Sequence, residues 1–131
     1  MSGVPHLGLA TGTRAVVIDT NRVLDLWLFE DPAVAALAHG IRGGTLCWLA
    51  HAGMRAELAR VLGYPALERQ LARRERSAPA VLAAFDRWSR CVPVAPPAPL
   101  RCSDPDDQMF IDLAVAWRAT LASRDRAVLA L

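Results

Sequence analysis

The chain alternates short apolar runs with longer segments of helical periodicity. The run "RAVVID" at 14–19 carries three consecutive β-branched residues and ends in an acid, which is typical of a buried parallel strand. Further strands are predicted in "GTLCWLA" (44–50), at the start of the proline-rich "CVPVAPPAPL" (91–100), and in "ATLASRD" (119–125). The pattern therefore predicts short strands, each separated from the next by at least one helix.

Six segments between these strands have apolar residues at helical spacing. In the second helix, Asp31 and Pro32 fit the N-cap and first position, and Gly40 is expected to close it. The predicted helices span 20–29, 32–40, 51–65, 66–77, 79–90 and 105–118. Because such connections are too long for hairpins, we expect a three-layer α/β/α domain around a central parallel sheet of four to five strands.

Composition supports one globular domain. Apolar residues make up 53% of the 131, and the mean hydropathy is +0.23. We expect residues 1–13 to form a disordered tail or a cloning remnant, and 14–131 to form the domain. With no long uncharged apolar run and no secretory signal, the sequence predicts a cytoplasmic protein without a membrane segment. Cys47, Cys91 and Cys102 are too widely spaced to suggest disulfides or a zinc site.

The basic residues are all of one type. All fifteen are arginine, and the formal net charge is +2. The absence of lysine excludes a Walker A phosphate loop, Schiff-base chemistry and receiver-type phosphotransfer. Arginine binds phosphate through a planar fork, so the surface is compatible with a phosphate-bearing partner.

Several acids stand where a parallel sheet gathers functional groups. Asp19 and Asp125 follow the apolar cores of two strands, at the edge where sites of such sheets form. Glu57 flanks the buried stripe of its helix, so it either faces a site or pairs on the surface with Arg55 or Arg60. Placement alone leaves both interpretations open.

The stretch "RCSDPDDQMFIDLA" (101–114) concentrates four aspartates at a helix start. With Pro105 at the first helical position, Asp104 is the expected N-cap, with Ser103 as the alternative. Asp106 and Asp107 fall on or beside the buried arc, whereas Asp112 falls opposite and is expected to face solvent. Crowded carboxylates repel each other unless protonation or a cation relieves the repulsion.

Oxygen ligands favour a hard ion, Mg²⁺ or Mn²⁺, over zinc. The three histidines have no ligand spacing among themselves, and we expect ordinary surface or packing roles for them. They are His6, His39 and His51.

Four motifs, in this order, resemble those of PIN domains from about residue 14 to the chain end. They are "VVIDTN", "MRAELARVLGYP", "DPDDQMFIDLA" and "LASRDRAVLAL". The chain is most similar to the bacterial PIN group of the VapC kind, whose members are the toxins of toxin–antitoxin pairs. The resemblance implies a metal-dependent endoribonuclease that cleaves single-stranded RNA and leaves 5′-phosphate and 3′-hydroxyl ends.

The resemblance also assigns roles by position. It implies that four carboxylates hold one or two Mg²⁺ or Mn²⁺ ions: Asp19, Glu57, Asp107 and Asp125. Asp107 is preferred because Ala114 then fits the family's spacing, although Asp106 or Asp104 could substitute for it or join it. Asn21 and Ser123 match polar residues that support the site.

Arginines adjoining these acids are candidates for holding the RNA backbone: Arg22, Arg124 and Arg126. Arg69, Arg73, Arg74 and Arg76 form a basic segment that either contacts RNA or a partner or is simply a solvated helix face.

Two features depart from the family. Arg22 stands where relatives have an apolar residue, so the first helix could begin differently. The chain also ends at Leu131, where relatives continue into a further helix and an edge strand. If that end is natural, a sheet edge is left open, and homodimerisation or a cognate antitoxin could cover it; if it is artificial, activity and stability could both suffer.

Two other functions are compatible with the pattern. One is a catalytically inactive PIN-like module that binds protein or RNA. The other is a metal-dependent phosphatase of another α/β family, which is disfavoured because "DTN" lacks the second aspartate of an Asp-x-Asp nucleophile motif.

Overall fold

The fold is built on a four-stranded sheet in which all strands are parallel. A computed structural model describes residues 12–99 and 105–123. The strands are β1 (Arg14–Ile18), β2 (Leu46–Ala50), β3 (Ser89–Cys91) and β4 (Thr120–Ala122), in the spatial order β3-β2-β1-β4. The central residue of β1, Val16, is paired with Trp48 of β2 and with Thr120 of β4. The predicted parallel sheet is confirmed, with four strands in the described part of the chain.

In residues 12–99 and 105–123, six α-helices lie between the strands. They are α1 (Thr20–Leu24), α2 (Ala35–Gly43), α3 (Ala52–Leu62), α4 (Pro65–Arg73), α5 (Ala78–Trp88) and α6 (Pro105–Trp117). Parallel crossovers are right-handed, so those leading from β1 to β2 and on to β3 place their helices on one face of the sheet. The return through α6 lies on the other face, where α6 contacts β1 and β4. The predicted three-layer α/β/α architecture is confirmed.

The first helix changes its winding where the sequence predicts one continuous helix. Residues Asp25–Phe29 follow α1 directly but form a π-helical turn, which ends at Glu30 with a left-handed φ of 50°. Arg76 donates to the Trp27 carbonyl at 2.9 Å and pairs with Glu30, and the Arg74 guanidinium lies over the Phe29 ring. Two arginines of the basic segment therefore contact this turn, although all four of its arginines are exposed.

Trp27, on that turn, forms the centre of an aromatic cluster. Its ring stacks on Trp48 of β2 and on Trp88 of α5, and the Trp48 ring meets Phe85 edge-on at 5.0 Å. Trp27 and Trp48 are almost completely buried. The cluster joins the π-helical turn, β2 and α5, and aromatic pairs in such arrangements stabilise beyond their buried area.

Gly40 does not close the second helix, as the sequence suggested. The segment begins with a 3-10 turn (Pro32–Val34) capped by Asp31, continues as α2, and ends at Gly44, whose φ is 84°. A Cβ atom at Gly40 would lie only 2.6 Å from Leu46 Cδ1. A larger residue at position 40 would therefore displace the Leu46 side chain, so Gly40 allows α2 to approach β2 closely, and Gly44 supplies the left-handed cap.

Two other helix ends also differ from the prediction. The helix predicted at 66–77 ends at Arg73 because Glu75 adopts a left-handed φ of 54°, and the Arg76 N–H returns to the Leu71 carbonyl. The strand expected from residue 91 instead begins at Ser89, where it pairs with Trp48. Ser89 and Arg90, which helical periodicity had placed at the end of α5, therefore belong to β3 and pair with β2.

Asp112 does not simply face solvent, which corrects the sequence interpretation. Its Oδ1 accepts hydrogen bonds from the Ala98 N–H at 2.9 Å and from Gln108 Nε2 at 2.8 Å. Ala98 is buried and belongs to the proline-rich segment before α6. Asp112 therefore fastens that segment to the helix.

Two further expectations can be compared with the described residues. Cys47 is half-buried and Cys91 is exposed, and both are free thiols, while Cys102 lies outside the described residues. Within the described ranges, no helix is both long enough and apolar enough to cross a membrane.

Candidate metal-binding cleft

Asp19 occupies the carboxyl end of β1 and begins α1. Its backbone is extended, and its Oδ1 accepts a hydrogen bond from the Arg22 N–H at 2.9 Å, so the side chain is the N-cap of α1. Its Oδ2 accepts from the Ser123 hydroxyl at 2.6 Å. Asp19 is only 8% exposed. Two donors from opposite ends of the chain thus fix the carboxylate at the edge of the sheet.

Glu57 reaches the same edge from α3. The Thr20 hydroxyl donates to Glu57 Oε2, and Arg60 Nη2 lies 3.5 Å from Glu57 Oε1. The Glu57 side chain is 13% exposed, whereas that of Arg60 is 57% exposed. Glu57 therefore both faces the cleft and pairs with Arg60, so the two interpretations left open by the sequence are compatible.

The first turn of α6 supplies the remaining described acids. Pro105 occupies the first position of the helix, and Asp106 and Asp107 follow it. Asp106 is exposed and Asp107 is half-buried. The positive end of the helix dipole favours carboxylates at these positions. Asp104, the expected N-cap, lies outside the described residues.

These acids line one cleft of about 260 Å³ between α1, α3 and α6. Its lining consists of Asp19, Thr20, Asn21, Glu57, Arg60, Val61, Tyr64, Asp106 and Asp107. The structure therefore brings three of the four predicted metal ligands, and Asn21, to a single depression. The fourth, Asp125, lies outside the described residues, as do Arg124 and Arg126. Ser123 contacts the site through Asp19.

The donor chemistry of the cleft fits a hard divalent cation. Its acidic side chains offer only oxygen, and none of its described lining residues is histidine or cysteine. Asp19 and Glu57 already accept hydrogen bonds, but each carboxylate oxygen has a second lone pair. Nevertheless, within 12–99 and 105–123 no three acidic, histidine or cysteine side chains converge closely enough to hold a metal ion. The described acids share a cleft but do not form a closed coordination shell.

Arg22, a candidate RNA contact, has a different position. Its Nη1 lies 3.2 Å from Asp25 Oδ2, and the Asp25 side chain is only 2% exposed. Arg22 is absent from the lining of the acidic cleft. The arginine at position 22, which departs from the family pattern, therefore pairs with a buried aspartate. The first helix, α1, nevertheless begins at the expected residue, Thr20.

The histidines behave as expected where they are described. His51 caps α3 by accepting the Gly53 N–H at Nδ1, over 3.0 Å, and burial lowers its pKa below the ordinary value of 6.5. An acceptor at Nδ1 requires that this nitrogen carry no proton, so a lowered pKa and the capping role are consistent. His39 is exposed and lies outside the acidic cleft, and His6 is outside the described residues.

Four cleft residues had no site role in the sequence interpretation: Thr20, Arg60, Val61 and Tyr64. Arg60 and Tyr64 lie three and seven positions after Glu57, a spacing that keeps residues on one side of a helix. That periodicity, applied outward from Glu57, would have identified both. Thr20 had no comparable signal because its contact with Glu57 is between side chains 37 residues apart.

The fold is an α/β/α domain with helices on both faces of a parallel sheet, and its acidic cleft lies beside Asp19 at the carboxyl end of β1. Compared with known families, residues 15–127 match the PIN domain, and the chain belongs to that family. PIN domains are generally nucleases and typically use divalent metal ions. No curated protein and no solved structure matches the chain.

Proposed function

We propose that this PIN domain is a metal-dependent endoribonuclease that cleaves single-stranded RNA. The observation that carries the proposal is the meeting of carboxylates from three separate elements in one cleft: Asp19 after β1, Glu57 on α3, and Asp106 and Asp107 at the start of α6. Bringing like charges together is unfavourable unless a cation or another positive group compensates. A metal-dependent nuclease uses such a cation beside the phosphodiester that it cleaves.

Asp19, Glu57 and Asp107 would hold Mg²⁺ or Mn²⁺, together with Asp125. A divalent ion bound there supplies a water of lowered pKa and neutralises charge on the phosphate. The chain's own polar groups orient the ligands. Ser123 and the Arg22 N–H fix both oxygens of Asp19, and the Thr20 hydroxyl fixes one oxygen of Glu57. Arg60 places a cation at the cleft, where phosphate oxygens would approach, and Asn21 offers amide donors.

The experiment is cleavage of a labelled single-stranded RNA by wild-type protein and by Asp19→Asn, with Mg²⁺, with Mn²⁺ and with a chelator. We expect metal-dependent cleavage by wild type that leaves 5′-phosphate ends, and loss of cleavage in D19N. Asparagine keeps the size of the side chain and can still accept the Arg22 N–H, so a folded, inactive D19N separates chemistry from folding. Equal cleavage by the variant would refute the assignment.

An inactive binding module is the second candidate function. It is favoured by the engagement of both Glu57 carboxylate oxygens, one with the Thr20 hydroxyl and the other with Arg60. Under this alternative, wild-type protein binds RNA or a protein partner, but neither Mg²⁺ nor Mn²⁺ gives cleavage. Isothermal titration calorimetry with each metal separates the two, because a module without metal ligands shows no binding heat.

The biological role that we propose is that of the toxin in a toxin–antitoxin pair, acting in the cytoplasm as a homodimer inhibited by its cognate antitoxin. The support is the resemblance of the four acidic motifs to that PIN group. A small open reading frame adjoining the gene, whose product suppresses RNA cleavage in vitro, is the expected finding. Light scattering of the purified protein tests the dimer, for which we expect twice the 14.2 kDa chain mass.

A further inference from the structure

The cleft continues along α3 beyond the acids. A second depression of about 440 Å³ lies between α3 and the start of α6, and it shares Glu57, Arg60 and Asp106 with the first. Its other lining residues are Gly53, Ala56, Pro105 and Met109. Because three of these four are small, the groove is open enough for an extended chain to pass the carboxylates and continue along the helix.

Tyr64 stands at the other end of this groove. It is 46% exposed and is one of only two exposed large apolar side chains in the described part of the chain. No aromatic ring or guanidinium within the described ranges stacks on it. Nearly half of the surface of Tyr64 is therefore open to a ligand.

The backbone at Tyr64 is nevertheless well fixed. Tyr64 is the N-cap residue of α4, its N–H donates to the Val61 carbonyl at 3.0 Å, and its own carbonyl accepts the Glu68 N–H at 2.9 Å. Pro65 follows at the first position of α4. The exposed ring stands on a rigid junction, four positions after Arg60 and seven after Glu57, and lines the same cleft as both, so it is suited to stacking a ligand.

We propose that Tyr64 and Arg60 form a nucleotide subsite, in which an unpaired base stacks on the Tyr64 ring and Arg60 binds the adjoining phosphate. Arg60 makes one long contact of 3.5 Å to Glu57, and a guanidinium has five N–H donors, so its fork retains donors for a phosphate oxygen. A base stacked on Tyr64 must leave its duplex. The subsite would thus give the protein the preference for single-stranded RNA that we propose for it, and in that respect it rests on the proposed function.

The test is fluorescence anisotropy with 12-nucleotide single strands of oligo(A) and oligo(U), and with a duplex of the two, in Ca²⁺ in place of Mg²⁺. We expect single strands to bind more tightly than the duplex. Tyr64→Ala should weaken single-strand binding roughly 5- to 150-fold, the range that base–aromatic stacking supports. Tyr64→Phe, which keeps the ring, should stay within about two-fold of wild type. Val94→Ala, at the other exposed apolar residue, is the matched control and should not change binding.

The phosphate contact of Arg60 is tested separately, by the salt dependence of RNA binding. The logarithm of the binding constant falls with the logarithm of salt concentration, and Arg60→Met should reduce that slope by about 0.7, the value for one phosphate contact on a single strand. Tyr64→Ala should leave the slope unchanged. An unchanged slope in R60M would remove Arg60 from the subsite.

Abasic strands separate stacking from a general effect of the substitution. Wild type should bind an abasic 12-mer more weakly than oligo(A), whereas Y64A should bind both alike. The proposal is overturned if Y64A binds oligo(A) as wild type does, if it loses affinity for abasic strands equally, or if wild type binds none of the single strands. Tyr64-dependent binding without metal-dependent cleavage would refute the nuclease but keep the subsite. Metal-dependent cleavage that is unaffected in Y64A would support the nuclease but refute the subsite.

Discussion

The Ser123 hydroxyl donates a hydrogen bond of 2.6 Å to Asp19 Oδ2, joining residues that are 104 positions apart in the chain. The contact exists because β4 pairs directly with β1, with Ile18 opposite Ala122, so the residues that follow each strand are neighbours. One edge of the sheet thereby fixes the orientation of the most buried acid in the cleft. Hydrogen bonds, ion pairs, backbone conformation and burial of particular residues lead to five predictions.

Ser123→Ala should lower kcat for RNA cleavage because the Asp19 carboxylate loses one of its two fixed donors. We expect a free energy of unfolding lower by about 1 kcal/mol, the usual net value of one hydrogen bond. Ser123→Thr, which keeps the hydroxyl, should stay near wild type in both measurements. Steady-state kinetics and urea titration provide them, and an active S123A with unchanged stability would show that the contact is unimportant.

Arg22→Met should destabilise the protein by about 2–3 kcal/mol because it removes the cation beside a carboxylate that is almost fully buried. Arg69→Met, at an exposed residue of α4, is the matched control and should change stability by less than about 0.5 kcal/mol. Urea titration gives both values. If instead R22M keeps its stability and loses RNA affinity, Arg22 is an RNA contact and not the partner of Asp25.

Glu75→Gly should stabilise the protein by about 0.5–1 kcal/mol because Glu75 holds a left-handed φ of 54° that glycine adopts without steric penalty. Glu68→Gly, inside the preceding helix α4, should have the opposite effect, about 0.5–1 kcal/mol of destabilisation, since glycine is a poor helix former. Thermal unfolding of the two variants gives the comparison. A lower Tm for E75G than for wild type would contradict the assignment of the helix end.

Acidification should destabilise wild type more than His51→Asn. Burial lowers the pKa of His51 in the folded protein, so below pH of about 6.5 the unfolded chain binds the proton more readily. Neutral His51 therefore contributes to the free energy of unfolding near neutral pH. That contribution is lost as the pH falls from the ordinary histidine pKa through the lowered pKa of His51 in the folded protein. Asparagine still accepts the Gly53 N–H as N-cap but does not titrate.

The measurement for His51 is the Tm of both proteins at about pH 7.5 and about pH 5.5, on either side of the ordinary histidine pKa. The difference between the two proteins removes the effect of the carboxylates, which both share. An equal fall in Tm for the two would contradict the buried, neutral state of His51.

Divalent metal should raise the Tm of wild type, by an amount that corresponds to about 2.7 kcal/mol at a concentration of 100 times Kd. Asp107→Asn should abolish most of this rise because the half-buried Asp107 is the proposed ligand. Asp106→Asn, one residue away and exposed, should keep most of it. Differential scanning fluorimetry with Mg²⁺ and with Mn²⁺ makes the comparison, and the reverse order would assign the ligand to Asp106.

Local patterns predicted much of the fold. The β-branched run before Asp19 predicts β1, the Asp31-Pro32 pair predicts a helix start, and Pro105 predicts the start of α6. The predictions failed where a distant partner decides the outcome. Gly40 resembles a stop signal but serves the packing of α2 against Leu46, and Asp112 falls on the outer arc of α6 but binds the Ala98 N–H of the preceding segment.

The sequence by itself determined the element order, the parallel sheet and the acidic motifs of a PIN domain, because periodicity, capping and motif order are local properties. Tertiary structure decided which side chains share the cleft. It places Arg60 and Tyr64 beside the acids, connects Thr20 to Glu57 and Ser123 to Asp19, and directs Arg22 to the buried Asp25. The pairing of strands and the packing of helices set these contacts, and they join residues whose separation along the chain carries no signal.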